Sequence, residues 1–350
     1  MKTEYISWSP VTGFREEELR RAAAVLRRGG LVAFPTETVY GLGGNGLLKE
    51  ASKRIYAAKG RPCDNPLILH ISRREELDDI VRDIPEAAER LMERFWPGPM
   101  TLIFEKSERV PYETTGGLET VAVRMPSHEA ARRLIEAASV PVAAPSANLS
   151  GRPSPTKADH VREDLDGVID MIIDGGPVGI GLESTIVDMT VNPPMILRPG
   201  DVTRKQIAAV LGEVRMDPGL KAVGDKVRPK APGMKYRHYA PRAAMTIYEG
   251  ARNAVTAAIC GEAARYPEER VGILASEETA SDYSHGQVVV VGARKKQTVG
   301  QGLYDALRTF DHLGVEVILS ESFSGEEKSE AIMNRLVKAA GNNVVYLPDK

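Results

Sequence analysis

The hydrophobic and polar positions of the chain alternate between two periods along its length. Segments with apolar residues three and four positions apart predict amphipathic helices, as in EAAERLMERFW (86–96) and HEAARRLIEAA (128–138). Short apolar runs such as LVAF (31–34) and TLIF (101–104) predict buried strands. Several predicted strands follow one another with no helix between them, as TLIF and TVAVRM (120–125) do. The pattern favours an α/β fold with a twisted mixed sheet and flanking helices.

The pattern also divides the chain into segments. The first block of helices and strands ends at residue 212, and the stretch 213–241 has little apolar periodicity and several Pro and Gly residues. A smaller alternation follows over 242–350 and predicts a Rossmann-like α/β domain, although it lacks the GxGxxG turn of dinucleotide-binding proteins. We therefore expect a catalytic domain over 1–212, a linker or active-site lid over 213–241, and a C-terminal domain over 242–350.

Charge and cysteine content exclude several classes of protein. The formal net charge is −2, which does not suit a nucleic-acid-coating protein, yet the predicted linker alone carries 7 basic and 3 acidic residues by count. The two cysteines, Cys63 and Cys260, have no CxxC spacing, so neither a disulfide framework nor a zinc site is expected. No long apolar stretch or signal segment is present, and we expect a soluble cytoplasmic protein with no metal site of its own.

The first candidate for chemistry is the stretch FPTETVYGLGGNG (34–46) after a predicted strand. Thr36 and Thr38 are two residues apart, so on an extended chain their hydroxyls point the same way. Its glycines would leave backbone N–H groups accessible to an anion, namely Gly41, Gly43 and Gly44. A glycine-rich turn with local hydrogen bonds explains this stretch alone about equally well.

A second candidate is the pair Lys59 and Arg61 at the exit of a predicted helix. Two cations at a spacing of two on an extended segment are favourable together if an anion lies between them. At this position truncation of either side chain should cost little stability. A helix C-terminus that attracts basic residues is the simpler alternative. Asn65 and His70 follow, and a strand histidine is more often a core residue than a catalyst.

Three further polar clusters lie at predicted strand or helix ends. Arg124 ends an apolar strand on the same face as Thr120, and an anionic ligand or a structural carboxylate would offset its burial. We expect Thr156 to cap the N-terminus of a helix that begins shortly after Ser154. This loop is either a candidate phosphate site or an ordinary capping loop. The remaining positions adjoin predicted strands: Ser146 and Asn148, Ser184 and Thr185, and Arg198.

Taken together, these motifs resemble the YrdC-type L-threonylcarbamoyladenylate synthases. The resemblance rests on KxR at Lys59 and Arg61, SxN at Ser146 and Asn148, and the stretches FPTETVYGL, WPGPMTL, SANLSGRPSPT and GLESTIVD. PGMKYRHYAP with a trailing α/β domain resembles the long, two-domain form. This family joins L-threonine, bicarbonate and ATP into threonylcarbamoyl-AMP, a nucleotidyltransferase reaction that releases pyrophosphate. A partner transferase then modifies the adenosine beside the tRNA anticodon.

The resemblance implies roles for individual residues. Threonine would contact Thr38, His70, Arg124, Ala144 and Ser184. ATP, with Mg²⁺ bound to its phosphates, would contact Arg61, Asn65, Thr120, Ser146, Ser154, Arg198 and the linker residue Tyr236. Bicarbonate and the reacting phosphate would lie among the catalytic residues Lys59, Arg61, Ser146 and Asn148.

Two other functions remain open at this stage. A related carbamoyl-adenylate enzyme of hydrogenase maturation would need acylphosphatase and zinc-finger regions, for which the chain has neither the length nor the cysteines. An RNA-binding module with a local basic patch is the alternative from another class, and direct tRNA binding is compatible with the enzyme but not required by it. Threonine- and ATP-dependent pyrophosphate release separates the enzyme from the binding module.

Overall fold

The structure is a computed structural model that describes residues 2–220, 239–294, 298–325 and 329–348. The described residues form two compact units, one containing 2–150 and 154–220 and the other containing 151–153 and the residues from 239 onward. Tyr236 and the middle of the predicted linker lie outside the described residues. Within the described ranges, no helix combines the length and apolar character needed to cross a membrane.

The first unit is a large mixed sheet with helices on both faces. Its helices are α1 (Glu16–Arg27), α2 (Lys49–Lys59), α3 (Glu86–Phe95), α4 (Glu129–Ala138), α5 (Ala158–Leu165) and α6 (Arg204–Leu211). Its strands are β1 (Glu4–Ser7), β2 (Val32–Phe34), β3 (Gly41–Asn45), β4 (Ile68–His70), β5 (Met100–Glu105), β6 (Thr120–Arg124), β7 (Val142–Ala143), β8 (Met171–Asp174), β9 (Thr185–Asp188), β10 (Met195–Arg198) and β11 (Arg215–Met216).

The eleven strands are ordered β1-β8-β2-β3-β7-β4-β6-β5-β9-β10-β11. Side chains of β2 alternate between two cores, since Ala33 packs in one hydrophobic cluster while Val32 and Phe34 pack in the other. Helices α1 and α4 cover the second cluster, and α2, α3, α5 and α6 contribute to the first. The predicted mixed sheet with flanking helices is confirmed.

The glycine-rich stretch is a strand, and the prediction of exposed backbone amides there is wrong. Strand β3 is buried along its whole length and pairs antiparallel with β2 and β7, so its N–H groups belong to the sheet. A Cβ on Gly43 would lie 2.7 Å from the Phe34 ring and 2.8 Å from Val142 Cγ1. Glycine is needed because neighbouring core side chains occupy the space, not because a ligand approaches.

The second unit is a smaller, wholly parallel sheet with helices around it. Its strands are β12 (Ala244–Glu249), β13 (Val271–Ala275), β14 (Gln287–Val290), β15 (Val317–Glu321) and β16 (Val344–Tyr346), in the order β14-β13-β15-β12-β16. Its described helices are α7 (Arg252–Ala263), α8 (Val299–Leu313) and α9 (Ser329–Ala339). The parallel α/β architecture is as predicted, with the fourth strand of the unit at its centre.

Three strands of the first unit were not predicted from the pattern of apolar residues. Strands β1 and β3 lack an apolar run of strand length, and β11 lies inside the predicted linker, where Arg215 and Met216 extend the first sheet by pairing with β10. Hydrogen bonds to an existing edge make such short or polar segments into strands, which periodicity alone does not detect.

Candidate active site

Arg124 is a buried cation at the carboxyl end of β6, with His70 beside it in the register of β4. Its Nη2 lies 2.7 Å from Glu37 Oε1, Nη1 donates to Thr38 Oγ1 at 2.8 Å, and Nε donates to the Gly98 carbonyl at 3.2 Å. Nε and Nη1 each donate one hydrogen bond in this way, whereas the buried Nη2 and both Glu37 carboxylate oxygens make no hydrogen bond among the described residues. Nη2 therefore has N–H groups that it can donate to a ligand, while the ion pair with Glu37 offsets the buried charge.

Glu37 and His70 have protonation states fixed by this environment. Burial alone would raise the pKa of Glu37, but the positive charge of Arg124 holds it below its ordinary value. Burial, reinforced by the charge of Arg124, lowers the pKa of His70 to about 3. His70 is therefore neutral at physiological pH, and its Nδ1 lies 3.1 Å from the Ile68 carbonyl. It can shape a pocket or share a hydrogen bond, but it is poorly suited to general-base catalysis.

The expected pair of hydroxyls at the end of β2 is present. Thr36 Oγ1 and Thr38 Oγ1 are 2.9 Å apart, and Thr36 also donates to the Val39 carbonyl. The segment bends after β2 rather than continuing as a strand, and this turn directs Thr38 toward Arg124. Glu37 and Thr38 are thus presented to Arg124 together.

Ser184 lies in a second cluster next to the first. Its Oγ is 2.7 Å from Thr101 Oγ1 and accepts from Arg198 Nη2 at 3.1 Å, while Arg198 Nε donates to its carbonyl. Thr101 is also the register partner of Arg124 across β5 and β6. The structure thereby brings Thr38, Arg124, Ser184 and Arg198 into one neighbourhood through a threonine that sequence reasoning missed.

Lys59 is the last residue of α2 and is almost fully buried. Its Nζ donates to the backbone carbonyls of Ser146 and Asn148, and lies 3.5 Å from Asn148 Oδ1. The SxN loop is also attached to the residue before β3, since the Ala147 N–H donates to the Tyr40 carbonyl. Lys59 therefore orders this loop, and because its buried ammonium satisfies two carbonyls we now expect its truncation to cost stability.

The spacing of Lys59 and Arg61 predicted an extended segment that carries both side chains, but the structure has no extended segment there. Gly60 between them has a left-handed backbone with φ of 60°, the usual conformation of a helix C-cap, so the alternation of a strand does not apply. Arg61 donates instead to the carbonyls of Asn65 and Pro66 at 3.1 and 3.0 Å. Lys59 and Arg61 thus order two different loops.

Asn65 has a buried side-chain oxygen that no described residue satisfies. Its side chain is buried, and its Oδ1 has no hydrogen-bond partner among the described residues. The β4–β6 register begins at Ile68 and Ala122, and the preceding Leu67 N–H bonds the Thr114 carbonyl, so sheet pairing does not bring Thr120 next to Asn65. Thr120 and Arg124 lie at opposite ends of β6, about 13 Å apart at ~3.3 Å per residue. A ligand that bonds Asn65 Oδ1 would remove the cost of that unpaired oxygen.

Ser154 and Ala144 complete the expected set. Ser154 Oγ donates to Glu183 Oε1 at 2.6 Å, and both side chains are buried. The Ala144 N–H bonds the Ile68 carbonyl, which holds the residue beside β4. Glu183, like Glu37, was visible in a motif but received no role, because a carboxylate next to hydroxyl residues resembles an ordinary turn.

The helix cap expected at Thr156 is wrong. Helix α5 has Lys157 as its N-cap, and the Thr156 N–H donates to Nδ1 of His160 at 3.2 Å. The extended backbone of Lys157 starts the helix one residue later than predicted, so the Thr156 hydroxyl lies 3.5 Å from His160 Nδ1 and does not cap the helix. Ser154 therefore lies near Glu183 and not at the start of a capped helix.

Comparisons with known proteins identify the family of the chain. A family model described as "Telomere recombination" (Sua5, YciO and YrdC) matches residues 24–200, and one described as "Threonylcarbamoyl-AMP synthase, C-terminal domain" matches residues 202–341. The Threonylcarbamoyl-AMP synthase of Bacillus subtilis (strain 168) is 49% identical, covering 99% of this chain and 100% of its own length. That of Pyrococcus abyssi (strain GE5 / Orsay) is 50% identical, covering 94% of this chain and 96% of its own.

The fold comparison gives the same result. The crystal structure of P. abyssi Sua5 complexed with L-threonine matches with a TM-score of 0.93 and 48% sequence identity, covering 99% of this chain and 100% of that chain. With both family models matched in order and relatives aligned over nearly the full length, the chain belongs to the threonylcarbamoyl-AMP synthase family, in its two-domain form.

Proposed function

We propose that the protein makes threonylcarbamoyl-AMP and pyrophosphate from L-threonine, bicarbonate and ATP. The observation that carries this proposal is the buried cluster of Arg124, Glu37 and Thr38 next to Ser184. A guanidinium whose buried Nη2 makes no hydrogen bond among the described residues suits a carboxylate, and the surrounding hydroxyls suit the amino and hydroxyl groups of threonine. The family relationship supports the same assignment.

The chemistry needs alignment and charge neutralisation more than a protein nucleophile. The threonine amine attacks bicarbonate with loss of water, or derived CO₂ with loss of a proton, to give a carbamate. The carbamate oxygen then attacks the α-phosphorus of ATP as the bond to pyrophosphate breaks. Arg124 holds the threonine carboxylate, while neutral His70 and the methyl of Ala144 shape its pocket. Fixed positive charges near the reacting oxygens stabilise the developing negative charge.

ATP binding is assigned to the residues around the other end of β6 and the SxN loop. Asn65 Oδ1 is available to an amino group such as that of adenine, and Thr120, the first residue of β6, is proposed as a further contact. Phosphate oxygens would contact the cations and hydroxyls, with Arg61, Ser146, Ser154 and Arg198 as the proposed set. Lys59 and Asn148 hold the loop that frames the bicarbonate and the α-phosphate.

Magnesium is proposed to arrive bound to the triphosphate. Within the described residues, no three or more His, Cys, Asp or Glu side chains are grouped so as to hold a metal ion. Mg²⁺ commonly keeps several waters and uses substrate phosphates as ligands, so it would offset negative charge on the triphosphate without needing a carboxylate cage from the protein.

The experiment that tests the function is substrate omission. The purified chain is incubated with ATP, Mg²⁺, L-threonine and bicarbonate, and both pyrophosphate and the adenylate are measured, the latter by mass spectrometry. We expect both products only in the complete mixture. Pyrophosphate release that continues without threonine or without bicarbonate would contradict the proposal, as would binding of RNA with no turnover.

The product is proposed to pass to a transferase that modifies tRNA. A carbamoyl adenylate is hydrolytically labile, so residues 213–241, with Tyr236 as a nucleotide contact, are proposed to cover it before release. Arg215 and Met216 in this segment belong to the edge strand β11, so the covering part must begin beyond them. ATP should slow tryptic cleavage within 221–238; an unchanged rate would reduce the segment to a tether.

A further inference from the structure

The second unit contains a cavity of about 570 Å³ to which the reaction assigns no role. It lies at the carboxyl ends of the parallel strands, and the residues following all five strands contribute to its wall. Its lining includes Glu249 at the end of β12, Thr279 after β13, Arg294 after β14, Glu321 at the end of β15 and Leu347 after β16. Cavities of this volume typically hold small metabolites.

The strand order places this cavity where α/β sheets usually bind ligands. Strands β12 and β15 are neighbours, but α7 leads from β12 to β13 on one side and α9 leads from β15 to β16 on the other. Right-handed crossovers in opposite directions put the two helices on opposite faces of the sheet. A crevice therefore opens between the carboxyl ends of β12 and β15, at a topological switch point.

The cavity wall contains a rigidly held guanidinium. Arg294 Nη2 lies 3.0 Å from Glu321 Oε2 and donates to the Ser322 carbonyl at 2.6 Å, and the guanidinium lies 4.6 Å from the centre of the Phe323 ring. Glu321 is buried and also accepts from the Tyr283 hydroxyl at 2.8 Å. A charged pair fixed by this many contacts offers preorganised donors and acceptors to a ligand.

A second arginine faces the same space. Arg252, the first residue of α7, pairs with Asp282 at 2.8 Å and donates to the Glu278 carbonyl at 2.7 Å. Its side chain is more than half exposed, so it can reorient toward a ligand. Together the two arginines supply positive charge for an oxyanion, and the first turn of α7 adds a favourable dipole.

The remaining lining suits groups that donate hydrogen bonds. Glu249 and Glu278 provide carboxylate acceptors, Thr256 and Thr279 provide hydroxyls, and apolar surface comes from Val255. We infer that this cavity, defined by its lining residues as the C-terminal cavity, binds a small metabolite that combines an oxyanion with hydroxyl or amino groups. This inference does not rest on the proposed function.

Hydrogen–deuterium exchange of the full-length chain tests the inference. Three probes are added separately at millimolar concentration: L-threonine, a carboxylate with amino and hydroxyl groups; AMP, a phosphate with hydroxyls; and inorganic phosphate. The readout is exchange in peptides covering 248–256, 276–282 and 319–324. We expect L-threonine or AMP to slow exchange there by about tenfold at about ten times its dissociation constant.

Two variants of α7 and its C-terminus separate local binding from remote effects. Arg252→Gln should abolish the protection, while Arg265→Gln, which removes an exposed arginine paired with Glu262 outside the cavity, should preserve it. A third variant at the end of β12, Glu249→Gln, should weaken protection while keeping the side-chain shape. Protection by threonine identifies a carboxylate ligand and protection by AMP a phosphate ligand. Protection by inorganic phosphate alone, no protection by any probe, or protection that survives Arg252→Gln would overturn the inference.

Discussion

The two units differ in how their sequence encodes a polar site. In the first unit, residues close together in a motif act together, as Glu37 and Thr38 do against Arg124. In the second, the lining of the C-terminal cavity is gathered from positions about a hundred residues apart, from Tyr248 to Leu347. The spacing of residues within a sequence motif reveals a site whose residues lie close together in one loop. A site assembled by strand order becomes visible only when the sheet is known.

The units also differ in how their arginines are paired. Arg124 has a side chain only 5% exposed and faces Glu37 at 14%, whereas Arg252 is 57% exposed and faces Asp282 at 33%. Burial makes the first pair costly to break, because either partner alone would be a charge without compensation in a poorly solvated place. The exposed pair leaves its cation free to exchange partners.

The largest expected effect comes from breaking the buried pair. Arg124→Gln should lower the free energy of unfolding by about 3–5 kcal/mol, since it strands the Glu37 carboxylate, whereas Arg252→Gln should change it by less than about 1 kcal/mol. Urea unfolding followed by circular dichroism measures both. The double variant Arg124→Gln with Glu37→Gln should recover part of the loss, and equal costs for the two arginines would refute the distinction.

Removing the cation that orders the SxN loop comes next. Lys59→Met should reduce adenylate formation by more than about 100-fold, because the loop and its positive charge are lost together. It should also cost about 1–3 kcal/mol of stability through the unsatisfied carbonyls of Ser146 and Asn148. Lys53→Met, on the same helix but exposed and paired with Glu50, is the matched control and should do neither. Adenylate formation at the wild-type rate in Lys59→Met would contradict the role assigned to Lys59.

Selection of threonine over serine should be modest. One methyl group in an apolar pocket is worth about 1–3 kcal/mol, so the ratio of kcat/KM values should lie near tenfold to a hundredfold. Steady-state pyrophosphate release with each amino acid measures it. Turnover of alanine at the threonine rate would contradict a site that recognises the hydroxyl.

The smallest effect concerns His70, whose protonation is opposed by burial and by Arg124, with Glu37 nearby acting in the other direction. Its pKa of about 3 in the folded chain lies below the ordinary value of 6.5, so the unfolded chain binds the proton more readily. This contribution is present above pH 6.5 and is lost as the pH falls toward 3. His70→Gln should therefore show a shallower loss of unfolding free energy between pH 7 and pH 4, by urea titration; identical slopes would argue against the shift.

Much of the fold and most of the site composition followed from the sequence, for physical reasons. Helix α2 and strand β6 were predicted because periodicity reports directly on burial. The glycines of β3 led to the wrong prediction of accessible backbone N–H groups. A crowded core and the close approach of a ligand both require small residues, so glycine alone does not distinguish them. Lys59 was misjudged because the carbonyls that surround it come from a loop nearly ninety residues away. Thr101 gave no signal, since a threonine in an apolar strand is ordinary.

The central claim is that Arg124 binds the carboxylate of threonine. Calorimetric titration with L-threonine and with L-threoninol, which lacks the carboxylate, measures how much the carboxylate contributes to binding affinity. The titrations are made with the wild-type chain and with Arg124→Gln, and Arg252→Gln is the control. A double-mutant cycle of this kind isolates the interaction. The account predicts that threonine binds at least about 100-fold more tightly than threoninol to wild type and to Arg252→Gln, an advantage that disappears in folded Arg124→Gln. An undiminished preference for threonine in Arg124→Gln would contradict it.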